Sequence, residues 1–292
     1  VAAEVIYGKD IANEIKEDLA KNITKLVNEG KGNPCLALIR VGNDDASKVY
    51  VRNKVKACNE VGIISMVTEL PEETTQEDLE AKILELNNDP DVDGILLQLP
   101  LPSHLDERHA IDTIDPDKDV DGLTTINIGR LHSGNPKFIP CTPLGILLII
   151  KRMAESGKPL CSMNAVVLGR SELVGAPIAR LLQDCNCTVT ICHSKTDEES
   201  RNKYLDNADI VVSAVGKPKF LNADHIQEGA WVVDVGINRD ENGKLCGDVD
   251  FDSVKEKAGY ITPVPGGVGV MTVTCLLLNT FLAMPMARKE VI

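Results

Sequence analysis

Apolar runs of strand length alternate with helix-length amphipathic stretches along most of this chain, and that alternation is the tightest constraint on its fold. Cys35–Val41 (CLALIRV), Ile64–Leu70 and Gly94–Leu99 (GILLQL) read as strands. Asp10–Glu29, Asn43–Val61 and Thr75–Asn87 read as helices. In the first of these, Ile11, Ile15, Leu19, Ile23, Leu26 and Val27 share one side and Gly30 ends the pattern. Strand–helix–strand order implies a parallel sheet with helices on its faces. An irregular stretch rich in Asp, Pro and Gly follows from Pro100 to Pro143, and Gly145–Glu155 reads as a connecting helix. A second alternating set begins at Ala165, with strand AVVLG, a helix from about Val174 to Gln183, and strands at 188–192, 210–216 and 231–236. The simplest organisation is two α/β units joined near residue 145.

Composition narrows the chemistry. Aromatics are 3% of the 292 residues, with one Trp, so the core must be aliphatic, which suits buried parallel strands. The formal charge is −13, with 31 Lys and Arg against 44 Asp and Glu and no basic block. Nucleic acid and membrane surfaces are therefore not expected partners, and any anionic ligand must be met by a few local cations. Nine scattered cysteines contain no C-x-x-C, and five histidines show no H-x-x-x-H spacing, so reduced thiols and no metal site are expected. Val270–Met284 is the most apolar stretch, but Thr272, Thr274, Asn279 and Thr280 interrupt it, and it is too short to cross a bilayer. It reads as a buried core helix. The opening VAAEVIYGKD has neither the basic nor the apolar region of a secretory signal, and a cytoplasmic location is expected, with an organellar matrix left open.

Five segments could carry chemistry. Gly169-Arg-Ser-Glu-Leu-Val-Gly175 sits between a strand and a helix, where backbone N–H groups and the helix dipole favour a phosphate. Tyr50 and Lys54 lie four apart on a helix and share a face, so phenol and amine can reach one site. A Lys at the margin of an apolar pocket can have its pKa lowered and move protons near neutrality. Gln98 is a lone amide near the carboxyl end of an apolar strand, the usual ligand side of an open α/β sheet. Asp119 and Asp121 lie in KDVDG, and Thr262–Gly269 (TPVPGGVG) leads into the apolar helix. Each also has an ordinary reading: a tight turn, a surface helix, an edge amide, an acidic turn, a rigid corner.

Taken together, these stretches resemble the methylenetetrahydrofolate dehydrogenase/methenyltetrahydrofolate cyclohydrolase family in its stand-alone bifunctional form. The resemblance rests on Ala46–Lys54 (ASKVYVRNK), Asp93–Pro102 (DGILLQLPLP), Asp117–Gly122 (DKDVDG) and Pro140–Gly145 (PCTPLG). It continues through Gly169-Arg-Ser, Cys192-His-Ser, Asp234–Asn238 (DVGIN) and Pro263–Gly269 (PVPGGVG), in the family's order over nearly the whole chain. It implies two α/β domains, with residues 1–144 plus about 272–292 as the catalytic, folate-binding domain. Residues 145–271 would form a Rossmann-like doubly wound NAD(P)-binding domain, the C-terminal helix returning to the first. The implied reaction oxidises 5,10-methylenetetrahydrofolate to the methenyl form and hydrolyses that to 10-formyltetrahydrofolate, which feeds purine synthesis. A homodimer is implied as well.

By the same resemblance Lys54, Tyr50, Gln98 and Asp121 are catalytic. The folate substrate would be bound by these four with Leu99, Pro265, Gly266, Gly267 and Val268. The cofactor would be held by Thr142, Gly169, Arg170, Ser171, Val174, Gly175, His193, Ser194, Lys195, Gly216 and Ile237. Val270 departs from the family, which usually has Pro after the last glycine of GGVG. NADP is expected over NAD on the residues themselves. The strand ending at Cys192 is followed by His193, Ser194 and Lys195 with no carboxylate at the turn, and Asp197 comes only further on. Another NAD(P)-dependent dehydrogenase of this architecture and a non-catalytic nucleotide-binding protein are the alternatives at this point.

Overall fold

A computed structural model describes residues 2–285. The chain runs β1 (Glu4–Val5), α1 (Gly8–Asn28), β2 (Cys35–Val41), α2 (Asp45–Val61), β3 (Ile64–Leu70), α3 (Gln76–Asn88), β4 (Gly94–Leu97), α4 (Glu107–Thr113) and α5 (Thr125–His132). It continues through α6 (Cys141–Ala154), β5 (Asn164–Leu168), α7 (Gly175–Asp184), β6 (Thr188–Cys192), α8 (Glu198–Leu205), β7 (Ile210–Ser213) and β8 (Trp231–Asp234). A short hairpin of β9 (Asn238–Arg239) and β10 (Leu245–Cys246), then α9 (Phe251–Val254), β11 (Tyr260–Ile261) and α10 (Val268–Ala283) complete it.

Two compact units form. One holds Asn13–Cys141 with the chain from Val273 onward; the other holds the chain up to Ala12 with Thr142–Thr272. In the first, β2 lies between β3 and β4 in a three-stranded parallel sheet. All seven residues of β2 are buried, as a central strand covered on both faces requires. Ala37, Ile39, Ile83, Ile95 and Ile111 are part of its aliphatic core. Sequence capping signals set the helix starts: Asp44 accepts from Ser47 N at 2.7 Å to begin α2, and Thr75 caps α3 through Asp78 N. The irregular stretch expected from 100 to 143 contains α4 and α5, capped by Asp106 and Thr124. Their brevity left too few turns for a periodic signal.

The second unit carries a six-stranded sheet in the order β1-β11-β8-β7-β5-β6, every pairing parallel. The first twelve residues therefore depart from the expected division. β1 pairs with β11, Glu4 opposite Tyr260 and Val5 opposite Ile261, which takes this segment into the second unit. Two residues of strand carry no readable alternation, so the sequence held no signal for it. Residue 1 and residues 286–292 of the expected first domain lie outside the described residues. The return of the C-terminal helix is explained by Asn279, whose amide donates to Val120 O at 2.8 Å and Ile139 O at 3.0 Å.

Candidate active site

In the first unit, Lys54 on α2 meets Gln98 just past β4. Lys54 Nζ donates to Gln98 Oε1 at 2.9 Å, and Gln98 Nε2 donates to Leu99 O at 2.6 Å. The second bond fixes which way the amide faces, so its oxygen is the atom offered to Lys54. The strand expected to contain Gln98 ends one residue before it, at Leu97, yet the Gln98 N–H still bonds Ile39 O at 2.8 Å. Gln98 is buried, Lys54 partly so. Burial lowers the Lys54 pKa, and the charge of Asp121 opposes that shift. Burial likewise raises the Asp121 carboxyl, against the pull of Lys54. Tyr50 stands one turn before Lys54 and is 55% exposed. Leu99 packs partly buried against the sheet's core.

The two acids of KDVDG divide their work. Asp119 is buried and accepts from Leu123 N at 3.1 Å, Thr124 N at 2.9 Å and Asn127 Nδ2 at 2.8 Å. It builds the turn. Asp121 faces Lys54 electrostatically. Gly122 follows at φ +70°, and a Cβ there would press on the Pro140 backbone nitrogen at 2.9 Å, so the 117–122 and 139–141 segments lie against one another. Cys141, whose thiol burial raises far above its usual range, donates to Val120 O at 3.6 Å. Asn279 ties both segments. Sequence reading missed Cys141 and Asn279 as site residues. The signal for Asn279 was present, an amide in the most apolar helix of the chain; a lone Cys gave none.

The remaining expected residues fall in the second unit. A cavity of about 350 Å³ is lined there by Gly169, Arg170, His193 and Ser194, and also by Thr196, Arg201, Lys217 and Phe220. Gly169 has φ +112°, and a Cβ would collide with Ala214 O, so only glycine lets β5 turn into this wall. Ser171 Oγ accepts from Val174 N at 3.2 Å and Gly175 N at 3.3 Å, which starts α7 in place of a conventional cap. His193 N donates to Thr196 Oγ1 at 3.0 Å, closing the turn after β6. Lys195 is exposed and is not among the cavity's lining residues. Asp197, the next carboxylate, caps α8 through Ser200 N at 2.8 Å and is not a lining residue either.

Asp248, fully buried, organises the far wall: it accepts from Val215 N at 2.7 Å, Gly216 N at 3.2 Å, Lys217 N at 2.9 Å and Asn238 Nδ2 at 2.9 Å. Asp234 receives Gly236 N, Asp248 N and Val249 N, and burial lifts its pKa to about 6. Ile237 between these anchors is 65% exposed. Thr142 and Thr272 share a hydroxyl hydrogen bond of 2.9 Å. In the GGVG turn Pro265 is exposed, Gly266 O accepts from Lys9 N at 3.3 Å, and Gly267 and Val268 are buried. Val270 falls in the first turn of α10, a part of a helix that tolerates Pro as well. Lys54, Gln98 and Asp121 thus belong to one unit, and Pro265–Val268 to the other.

Three cations and no carboxylate line the cavity, beside a glycine turn ahead of a helix N-terminus. These residues fit an adenosine cofactor carrying phosphates. Among the described residues no group of three or more His, Cys, Asp or Glu is arranged to hold a metal ion. No helix among them is long and apolar enough to cross a membrane.

Known proteins match along the whole chain. The catalytic domain of tetrahydrofolate dehydrogenase/cyclohydrolase matches residues 6–121, and the NAD(P)-binding domain of the same family matches residues 140–288. A bifunctional FolD protein of Agathobacter rectalis is 51% identical over 97% of this chain and 99% of its own length. The crystal structure of the bifunctional FolD dehydrogenase/cyclohydrolase of Campylobacter jejuni is 44% identical, with a TM-score of 0.93 over 99% of this chain and all of that one. A Trypanosoma brucei methylenetetrahydrofolate dehydrogenase-cyclohydrolase complexed with NADP and an inhibitor is 38% identical, with a TM-score of 0.90 and both chains fully covered.

Proposed function

The chain belongs to the tetrahydrofolate dehydrogenase/cyclohydrolase family, and from that premise we propose how its residues divide the two reactions. It oxidises 5,10-methylenetetrahydrofolate to 5,10-methenyltetrahydrofolate with NADP, then hydrolyses the product to 10-formyltetrahydrofolate. The observation that carries the division is the 2.9 Å bond between Lys54 and Gln98 next to Asp121.

NADP, when bound, accepts the hydride. Arg170, Ser194 and the backbone around Gly169 would hold it, and the 215–217 wall fixed by Asp248 would shape its pocket. Hydride transfer asks the protein chiefly for positioning. Hydration asks for more. Water adds to the cationic methenyl carbon, and one of its protons must leave. A neutral Lys54 amine can take it, because donation of one N–H to Gln98 Oε1 turns the nitrogen lone pair away from the amide. The other proton is balanced by the one that ring nitrogen N5 gains as its bond to the carbon opens. Burial brings the Lys54 pKa down toward the range where this is possible, and Asp121 limits how far. The Asp121 carboxylate accepts N–H donors from the amino-pyrimidine edge of the pterin. A coupled absorbance assay with methylenetetrahydrofolate and each nicotinamide cofactor tests this reading. Methenyl formation followed by its decay is expected; absence of both signals sinks it.

The working unit is a homodimer in the cytoplasm that supplies formyl groups to purine synthesis. The nine unpaired thiols suit a reducing compartment. Dimerisation draws support from β3, an edge strand whose Ile64, Met66 and Val67 are 51%, 41% and 43% exposed. Such an edge is an aggregation liability unless another surface covers it. Light scattering behind size exclusion should give twice the chain mass, and Met66→Lys should shift the population toward monomer; a monomeric wild type removes the proposal.

A further inference from the structure

We propose that Arg201, on α8, is a specificity-determining residue that helps bind the 2′-phosphate of the cofactor, alongside Arg170 and Ser194, which the sequence pattern favours for that group. This rests on the NADP reading above. The turn after β6 offers Lys195 in the expected position, but that side chain is exposed and does not line the cavity. Arg201 does line it, together with Arg170 and Lys217.

Several features prepare Arg201 for an anion. Its guanidinium carbon lies 4.9 Å from the centre of the Phe220 ring, itself part of the cavity wall, so the planar group is held by stacking. Its side chain is only 18% exposed, which reduces solvent screening of its charge. Its ion-pair partner is weak: Glu198 stands 3.4 Å from Nη2 and is itself 76% exposed. The further contact to Asn202 Oδ1, at 3.5 Å, also falls on Nη2. A guanidinium has five N–H donors, and this one keeps most of its fork for a phosphate. Glu198 is outside the lining, as is Asp197, so no carboxylate competes in the cavity. The hydroxyls of Ser194 and Thr196 line the same space and complete a donor set for a phosphate monoester.

The cavity's position selects the phosphate. It opens between the carboxyl end of β6 and the β7 wall at Ala214–Lys217, where a Rossmann cofactor presents its adenosine ribose. A dianion on the 2′-oxygen gains from each cation, whereas a 2′-hydroxyl gains little. Arg201 therefore separates the two nicotinamide cofactors more than it strengthens either one's common parts.

Isothermal calorimetry with 2′,5′-ADP and 5′-AMP at one ionic strength isolates this contact without turnover. The wild type should prefer 2′,5′-ADP; lack of preference would contradict the NADP reading itself. Arg201→Gln should weaken 2′,5′-ADP by about 10- to 100-fold and leave 5′-AMP within about twofold. Arg201→Lys should recover part of the loss, since charge returns without the fork. Phe220→Leu, which keeps the cation but removes its stacking surface, should weaken 2′,5′-ADP by a smaller factor. Lys195→Gln should cost less than Arg201→Gln. Wild-type affinity for 2′,5′-ADP in Arg201→Gln, equal loss for both nucleotides, or a larger loss in Lys195→Gln would overturn the assignment.

Discussion

The proposed division of the two reactions rests on a single amine, that of Lys54. Hydration needs a proton acceptor and hydride transfer does not, so Lys54→Met should abolish cyclohydrolase activity while dehydrogenase activity falls less. Equal loss of both, with folate binding intact, would count against separate roles. The pH dependence has a definite sign. Burial favours the neutral amine, so the rising limb of cyclohydrolase activity should lie below the ordinary lysine value of 10.5. Asp121 works in the opposite direction. Asp121→Asn should therefore move that limb to still lower pH, and a limb that stays put or moves up would remove the coupling. Loss of the carboxylate altogether acts on binding. A charge-assisted hydrogen bond is worth about 1.5–3 kcal/mol, so Asp121→Ala should weaken folate by about ten- to hundredfold and leave the cofactor alone. Calorimetric titration of both ligands checks it; unchanged folate affinity would refute the role.

The long strands and helices were legible because their periodicity and caps repeat the same message over many residues. β2, β3 and α3 all stand where alternation, Thr75 and the flanking turns put them. Short elements were not: β1, α8 and the β9–β10 hairpin offer too few residues for a period to emerge. The site divided in the same way. The pairing of Lys54 with Gln98 was readable because each breaks an apolar surface, and the place of Arg201 in the cavity wall was not, because a cation on a strongly polar helix looks like any solvated face. α10 holds the intermediate case. Asn279 sits among apolar neighbours and is 3% exposed, and its amide joins the chain on either side of the site, at Val120 and Ile139. Asn279→Ala leaves the buried Val120 carbonyl and the part-buried Ile139 carbonyl without this donor, which should cost about 1–3 kcal/mol of stability. The urea midpoint should fall accordingly and the KM for folate should rise with it, because the same amide holds the Asp121 turn. A variant with unaltered midpoint and KM would show that α10 merely fills space.

At the scale of the molecule, a formal charge of −13 opposes a cofactor that is itself strongly anionic. Binding must come from charge arranged locally, and Arg170, Arg201 and Lys217 line the cavity of the second unit. The two scales respond differently to salt. Surface repulsion extends over distances comparable to the Debye length, about 10 Å at 0.1 M, whereas contacts inside the cavity are shorter and less screened. Comparisons between cofactors therefore belong at one ionic strength. NAD shares the adenosine, the diphosphate and the nicotinamide with NADP, so the overall repulsion falls on both and the 2′-phosphate is what separates them. That group adds repulsion from the molecule as a whole and attraction from the cavity. With no carboxylate lining the site and Asp197 occupied in starting α8, the local attraction should dominate. The kcat/KM for NADP should exceed that for NAD, and Arg170→Ala should lose most of the difference by acting on NADP alone. A ratio that favours NAD would mean that the arrangement of these cations does not outweigh the charge around them.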